Sequence, residues 1–498
     1  MSRAKELFSV KMADTTNREG YPAYTRSLEE QYVQTLLTNT IGNTFYADSD
    51  TLLSEADALH DQMLERNPEF VAKALVFARN KGLMRLQPIF GLAKLSSIST
   101  ELFAKIFDNV VLIPSDLQDF FTILEGLGRG QGGRSIKRQV TRFLNNISEY
   151  WAIKYNGRGR GYSLGDIVKT VHPKPINDKQ KAIFAYLVGK EYDKTQVPQI
   201  SAYETLKKTI NTREQIALIQ EGRLPHEVVT GVIKPDKEIW NAILHQMPIF
   251  ALLRNLNTLD RAGILDENRD YITSVLNDPE RLKKSKILPF RFVTAFHQVE
   301  KAWVKDVLRQ AVELTFDNLS EISGKTAVFL DVSGSMKGDY LRIGSVFALA
   351  LYKKTKGNGI FWTFDTRVYD PSPSMYDSIL SQAEKIEARG GTDTGAPVEK
   401  LRKDNVCVDN IIIITDEQQN TGSPFYNELE KYRRSINPNT KAFVIDIAPY
   451  RSSMVPPTDK NTHYIYGWSE TVLEYIAMSI KGYGSMIENI NKIEIGQA

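Results

Sequence analysis

Three short stretches in the last third of this 498-residue chain carry oxygen ligands at spacings that suit a hard cation. The first is Asp331-Val332-Ser333-Gly334-Ser335, one carboxylate and two hydroxyls at alternate positions. It follows the apolar run TAVFL at 326–330, which reads as a buried strand ending in a tight turn. The second is Gly390-Gly391-Thr392-Asp393-Thr394, and the third is Asp416, just after the apolar strand 411–414. Two carboxylates and three hydroxyls suit Mg²⁺, an octahedral ion that prefers oxygen and keeps part of its water. Ca²⁺ ordinarily takes more carboxylates and a higher coordination number, and fits less well. Ser333, Ser335 and Thr392 are expected to bind the ion directly, and Asp331 and Asp416 directly or through water and the serine hydroxyls. So little anionic charge leaves the ion electrophilic, open to a carboxylate or phosphate from outside. That is the chemistry of metal-ion-dependent adhesion.

Other chemistry fits these residues poorly. A phosphoryl-transfer aspartate of the haloacid-dehalogenase type needs a second acid two positions on, where Ser333 stands. A nucleophile elbow Gly-x-Ser-x-Gly is absent. His60, His172, His226, His245, His297 and His463 lie far apart and form no pair on one helix. Asp365 and Asp393 lie near the expected ion, where loop hydrogen bonding is as good a reading as a supporting acid. No catalytic constellation emerges, and the chain is expected not to be an enzyme.

The elements around the three stretches must bring them together. After Ser323-Gly324 strands alternate with helices: strand 326–330, helix 344–352, strand 360–364, helix 374–388, a helix from Ala396, strand 410–414, helix 427–435, strand 441–447 and helix 469–480. That succession implies a doubly wound parallel sheet, whose ligand site lies beyond the C-terminal strand ends, where Asp331 and Asp416 both stand. The five ligand positions match the motif of the von Willebrand factor A domain. From about residue 25 to 320 the chain instead reads as helix after helix. Leu28, Tyr32, Leu36 and Leu37 share one face, and Leu52, Ala56, Leu59 and Met63 another. Asn67-Pro68 opens a third helix, and further pairs include 179–187 and 238–256. Helix pairs suggest a superhelical repeat of the HEAT kind, although no strict sequence period is present. A non-repeating multi-helix core is the alternative.

Charge is concentrated within the helical region. From Arg129 to Lys174, ten Lys or Arg stand against Glu149 and Asp166, a net +8 in a chain whose total is +3. Such asymmetry points to a localised anionic partner. Arg134, Lys137, Arg138 and Arg142 space along one helix, preceded by Arg129 and followed by the loop 154–162 (KYNGRGRGY) and His172. Lys154, Arg158 and Arg160 on a glycine-rich backbone, with Tyr155 and Tyr162 between them, suit phosphate contacts and stacking on unpaired bases. A solvated charge run, with the tyrosines as packing residues, is the competing reading. The glycine run 126–133 follows a helix and lacks a Gly-Lys-Ser/Thr ending, so it reads as a helix connection rather than a phosphate loop.

Composition sets the remaining bounds. Hydrophobic residues at 42% and charged residues at 25% are those of a soluble globular protein, long enough for two or more domains. No run of about 18 apolar residues occurs, so no membrane span is expected. The opening MSRAKELFSVKMADTT lacks the features of a secretory signal. The single Cys407 allows no intramolecular disulfide and no thiolate zinc cage, so the cytosol is the expected compartment.

The order of helical array then adhesion-type domain resembles the Ro autoantigen family, the TROVE-module proteins, in a prokaryotic or phage form. The resemblance rests also on residues 238–256 (EIWNAILHQMPIFALLRNL), the turn 126–130 and the stretch 161–175 (GYSLGDIVKTVHPKP). It implies an N-terminal extension at 1–24, a HEAT-repeat ring at 25–322 and a von Willebrand factor A domain at 323–498 that closes the ring and carries Mg²⁺. Family members bind small noncoding Y RNAs on the outer ring surface and admit ends of misfolded RNAs to the central hole. Bacterial relatives pair with exoribonucleases, notably polynucleotide phosphorylase, through a Y-like RNA. By position Lys154, one of Arg158 and Arg160, and His172 match the Y-RNA contacts; the loop is a residue longer than in animal members, so the two arginines compete. A monomeric RNA-binding scaffold is expected, with a Mg²⁺-dependent protein-binding adaptor as the alternative.

Overall fold

The apolar runs that end at Asp331 and Thr415 form neighbouring parallel strands, buried at every position. Strands buried on both faces read as continuous hydrophobic runs, which is why TAVFL and IIII announce them. The computed structural model describes residues 12–38, 48–130, 132–157, 159, 161–287, 289–317, 320–467, 475–477, 479, 480 and 485–496. Contacts group the chain into two compact units. One gathers the described residues of Met1–Met84, Leu288–His297 and Ala302–Glu494; the other gathers Arg85–Ile287, Gln298–Lys301 and Ile495–Ala498.

The first unit is built on a six-stranded sheet. Its strand order is Val368–Tyr369, Gly359–Phe364, Thr326–Asp331, Asn410–Thr415, Lys441–Asp446 and Thr462–Tyr466. Only the edge pair of Val368–Tyr369 with Gly359–Phe364 is antiparallel. Strand Thr326–Asp331 sends the chain first to Gly359–Phe364 on one side, and Asn410–Thr415 takes the other side. The direction of winding therefore reverses at the C-terminal ends of these two central strands, where such sheets open a ligand crevice.

Helices cover both faces. Helix Asp339–Lys354 packs on strands Thr326–Asp331, Gly359–Phe364 and Asn410–Thr415. Its Gly344 permits that approach, since a Cβ there would stand 3.1 Å from Leu330 Cδ1. On the other face Val398, Leu401, Phe425, Leu429 and Tyr432 pack on Ala327, Phe329, Ile411, Ile413 and Val444. The same unit holds helices Leu28–Thr38, Ser49–Arg66 and Pro68–Asn80, the last opened by Asn67 capping Phe70 N–H with Pro68 at its first position. A small antiparallel sheet of Thr15–Thr16, Pro22–Thr25 and Ser452–Ser453 ties the N-terminal segment down.

In the second unit, helices from Leu86–Ile98 to Pro279–Ser285 follow one another, and most pack on a near neighbour in sequence. Pro248 divides the apolar stretch 238–256 into Lys237–Leu244 and Ile249–Arg261. Together the units form a largely helical part with repeat-like contacts and a separate β-rich domain of von Willebrand A type.

Some expected elements differ. The helix expected at 374–388 is reduced to Ile379–Ala383. Ser374 Oγ accepts from the N–H groups of Tyr376 and Asp377, and this local turn holds the segment out of a helix. Helix Asp339–Lys354 begins five residues before the expected start at 344, with Asp339 in its first turn. Strand Thr462–Tyr466 and the small sheet were not expected. Of the helix expected at 469–480, residues 469–474 and 478 lie outside the described residues.

Candidate functional site

The cation stretches converge. Asp331 ends its strand, and Asp416 follows the neighbouring strand by one residue. The Gly390 loop reaches them through backbone bonds: Gly334 N–H donates to Gly390 O at 2.9 Å, and Arg389 N–H to Val332 O at 2.6 Å. Thr392 is held to the segment after Asp416, its O accepting from Asn420 and Thr421 N–H at 3.1 and 3.2 Å and its N–H donating to Asn420 Oδ1 at 2.9 Å. Asp331, Ser333, Ser335, Thr392 and Asp416 are all buried, and Ser333 Oγ and Ser335 Oγ are 3.2 Å apart. The structure thus brings together all five residues that the sequence singles out.

Hydrogen bonds fix one carboxylate and leave the other incomplete. Asp331 accepts from Ser333 N–H at 2.8 Å and from Thr415 Oγ1 at 2.6 Å, one bond to each oxygen. Asp416 Oδ1 accepts from Gln418 N–H at 3.2 Å, whereas its Oδ2 is buried without a hydrogen-bond partner. Burial, with Asp365 adding its charge, pushes Asp331 up to about 6 against the bonds from Thr415 and Ser333. Burial and then the charge of Asp331 push Asp416 up to about 7, with the Ser335 hydroxyl and Gln418 N–H pulling the other way. Two buried carboxylates near hydroxyls, with one carboxylate oxygen unmatched, are oxygen donors of the kind a hard cation takes. The residues fit a divalent ion of the Mg²⁺ kind. Among the described residues no group of three or more His, Cys, Asp or Glu could hold a metal, so a metal here must use hydroxyl oxygens.

Beside this site lies a cluster that the sequence does not disclose. Arg26 is fully buried, pairing with Glu417, with Asp446 at 2.9 Å and with Tyr466 OH at 2.6 Å. Glu417 also accepts from Met454 N–H at 2.8 Å and Tyr464 OH at 2.9 Å. Upstream, Asn17 Nδ2 donates to Gln419 O at 2.8 Å and Arg18 N–H to Gln418 Oε1 at 3.0 Å. The N-terminal segment is therefore bonded to the loop that carries Asp416. Partners separated by some 400 positions leave no mark in local spacing.

The basic residues occupy the helical unit. Helix Arg134–Leu144 buries Ile136, Gln139, Val140 and Leu144, so Arg134 and Arg138 are exposed on its other face and Lys137 is half-buried. Arg142 is exposed and pairs with Asp108 at 2.7 Å. Arg129 turns inward, donating to Ala93 O at 3.1 Å and Ser96 Oγ at 2.7 Å. Lys154 lies in the last turn of helix Glu149–Tyr155 and pairs with Glu227 at 3.0 Å. His172 is exposed in a left-handed conformation (φ 53°) that caps helix Leu164–Val171. Arg158 and Arg160 lie outside the described residues.

Buried Gln118 shapes the loop between Lys154 and His172. Its Nε2 donates to Tyr155 O and Tyr162 O at 2.9 Å each and to Gly157 O at 3.3 Å. Tyr162 packs on Phe121, ring centroids 5.7 Å apart, which makes it a packing residue. Gly165 is required, since a Cβ would meet Leu187 O at 2.2 Å.

Fold and site define a two-part protein: a helical array with an exposed basic segment, and a von Willebrand A-type domain with buried carboxylates and hydroxyls gathered at its strand ends. The TROVE domain family matches residues 233–377, and the Ro60 von Willebrand A domain family matches residues 325–478. The two matches follow one another along the chain in the order of a TROVE domain and a Ro60-type von Willebrand A domain. It is 24% identical over 494 residues to the RNA-binding protein RO60 of Deinococcus radiodurans, covering 91% of this chain and 92% of that one. The RNA-binding protein RO60 of Caenorhabditis elegans is 25% identical over 325 residues, 59% of this chain and 50% of that one. The fold is that of the crystal structure of Deinococcus radiodurans RO (RSR) protein, with TM-score 0.69 and 21% identity, covering 91% of this chain and 100% of that one.

Proposed function

We propose that this protein is a non-catalytic RNA-binding scaffold, which binds a small noncoding Y-like RNA and receives ends of misfolded or single-stranded RNA. The observation that carries this reading is the exposed cationic segment of a chain that matches the TROVE and Ro60 von Willebrand A families, with Arg134, Arg138 and His172 open to solvent. Arg142, Lys137, Lys154, Arg158 and Arg160 complete the RNA face, and Arg129 supports it from within. Lysine and arginine displace counterions from phosphates, so affinity falls steeply as salt rises. In this reading residues 25–322 form a ring that residues 323–498 close, with 1–24 as an extension. Y-like RNA lies on the outer surface and the defective end enters the hole. An exoribonuclease such as polynucleotide phosphorylase is the working partner of a cytoplasmic monomer. No described helix is long and apolar enough to cross a membrane.

Lys154→Ala combined with Arg158→Ala and Arg160→Ala tests the RNA face. In fluorescence anisotropy with a stem-loop RNA at low salt, affinity is expected to fall tenfold or more, about 1.4 kcal/mol. Unchanged affinity of the triple variant removes these residues from the face.

A second reading rests on the orphaned Asp416 Oδ2. Asp331, Ser333, Ser335, Thr392 and Asp416 would hold Mg²⁺, and the ion would supply a coordination position for an acidic group of a protein partner. Binding titrations with and without a chelator separate the two. RNA affinity indifferent to chelation and lost in salt supports the scaffold, and chelator-sensitive capture of protein alone supports the adaptor.

A further inference from the structure

Beside Lys154 the helical unit opens a cavity of about 530 Å³, within the roughly 300–1,000 Å³ typical of sites for small molecules. Lys154, Glu227, Trp240, Phe250 and Arg254 line it, with His226 at its wall. Four elements supply them: Lys154 lies in the last turn of helix Glu149–Tyr155, His226 and Glu227 open helix His226–Val232, Trp240 comes from helix Lys237–Leu244, and Phe250 and Arg254 share the first turns of helix Ile249–Arg261. Residues four apart on a helix share a face, and the Arg254 guanidinium lies 5.7 Å from the Phe250 ring centroid. Phe250 remains 38% exposed, high for a large apolar ring.

Cations, planar groups and one acid give the cavity a definite chemistry. Two planar side chains and Trp240 offer stacking surface for an aromatic ring. Lys154 and Arg254 outnumber Glu227, so the pocket favours an anion. Glu227 already shows where an anion sits: its carboxylate takes Lys154 Nζ at 3.0 Å and His226 Nδ1 at 2.9 Å. A group with a flat ring and a phosphate on neighbouring atoms matches this set; a purely apolar ligand or a bare oxyanion uses only half of it.

We infer that this cavity receives one unstacked nucleotide of bound RNA, its base on Phe250, Arg254 and Trp240 and its phosphate on Lys154 in place of Glu227. The inference rests on the RNA-scaffold reading and adds to it a base-dependent component, which counterion release alone does not give. Base stacking on such platforms is worth roughly 1–3 kcal/mol per base, so a measurable difference between a tail with bases and one without is expected.

The test compares two fluorescent probes on the full chain: a hairpin RNA with a six-adenylate single-stranded tail, and the same hairpin with an abasic tail. Wild type is expected to bind the adenylate tail about tenfold more tightly. Phe250→Ala, at a partly exposed position, is expected to bring the two affinities within twofold while keeping that for the abasic probe. Wild type binding both probes equally overturns the pocket and leaves the scaffold reading standing. Phe250→Ala keeping the full tenfold preference also overturns it. Failure of wild type to bind either probe at low salt overturns the scaffold reading itself and the pocket with it.

Discussion

Single side chains at each candidate site are held in states that a binding partner would change. Asp416 is the sharpest case, a buried carboxylate with one oxygen lacking any donor. Leaving a buried polar group unmet costs roughly 1–3 kcal/mol, more for a charge. Asp416→Asn is therefore expected to raise the urea midpoint in chelator and to abolish any gain from added magnesium. A wild-type midpoint indifferent to magnesium, or an unchanged one for the variant in chelator, would remove the cation from this site. Glu227 is the opposite case. Burial alone would push its carboxyl up, but hydrogen bonds from His226, its own N–H and Lys154 hold it down at about 2. A carboxyl depressed on folding gives stability that is present above its unfolded value near 4.5 and lost as pH falls toward 2. The stability difference between wild type and Glu227→Gln is therefore expected to shrink as pH falls from 5 to 3. In RNA binding the same variant frees Lys154, so its affinity is expected to rise a fewfold at neutral pH. A fall in affinity would mean that Glu227 itself positions the RNA.

At the scale of elements, what was legible followed from local physics. TAVFL and IIII announce buried parallel strands because nothing else buries so many branched residues in a row, and Asp331 and Asp416 were placed at strand ends on that basis. The convergence of Thr392 on them was legible as a motif, although the bonds that achieve it run to Asn420 and Thr421. Short or half-exposed elements were not. Strand Thr462–Tyr466 has three half-buried residues of five and borrows its register from Lys441–Asp446, so its own pattern is weak. The helix expected at 374–388 failed because Ser374 bonds locally, a competition that hydrophobic spacing does not register. In the basic region, sequence counted charges but not their partners. Arg129 proves to be tied to Ala93 and Ser96, while the loop's anchor, Gln118, is an uncharged residue 36 positions before Lys154. Gln118→Ala would strand three carbonyls of that loop, and a stability loss of roughly 1–3 kcal/mol is expected. Hydrogen exchange near Tyr155, Gly157 and Tyr162 should rise with it; unchanged protection there would show that Gly165 and Tyr162 hold these residues unaided.

At the scale of the whole chain, the division into two compact units ties the N-terminal 84 residues to the sheet rather than to the helices that follow them in sequence. Arg26 is the reason in miniature. Its guanidinium is buried between Glu417 and Asp446, 391 and 420 positions away, and lies 4.3 Å from the Tyr464 ring centroid. Removing one partner of a buried ion pair costs roughly 3–5 kcal/mol, because the charges left behind are neither solvated nor met. Arg26→Ala is thus expected to destabilise the sheet unit by that order, although it lies far outside the von Willebrand A segment. Calorimetry can localise the loss, since units with separate cores need not unfold in one step. Two transitions are expected: Arg26→Ala lowers one of them, the same one that magnesium raises, and Gln118→Ala lowers the other. If Arg26→Ala instead moves the transition that Gln118→Ala moves, the N-terminal helices belong energetically to the helical unit, and Arg26 contributes little to the sheet.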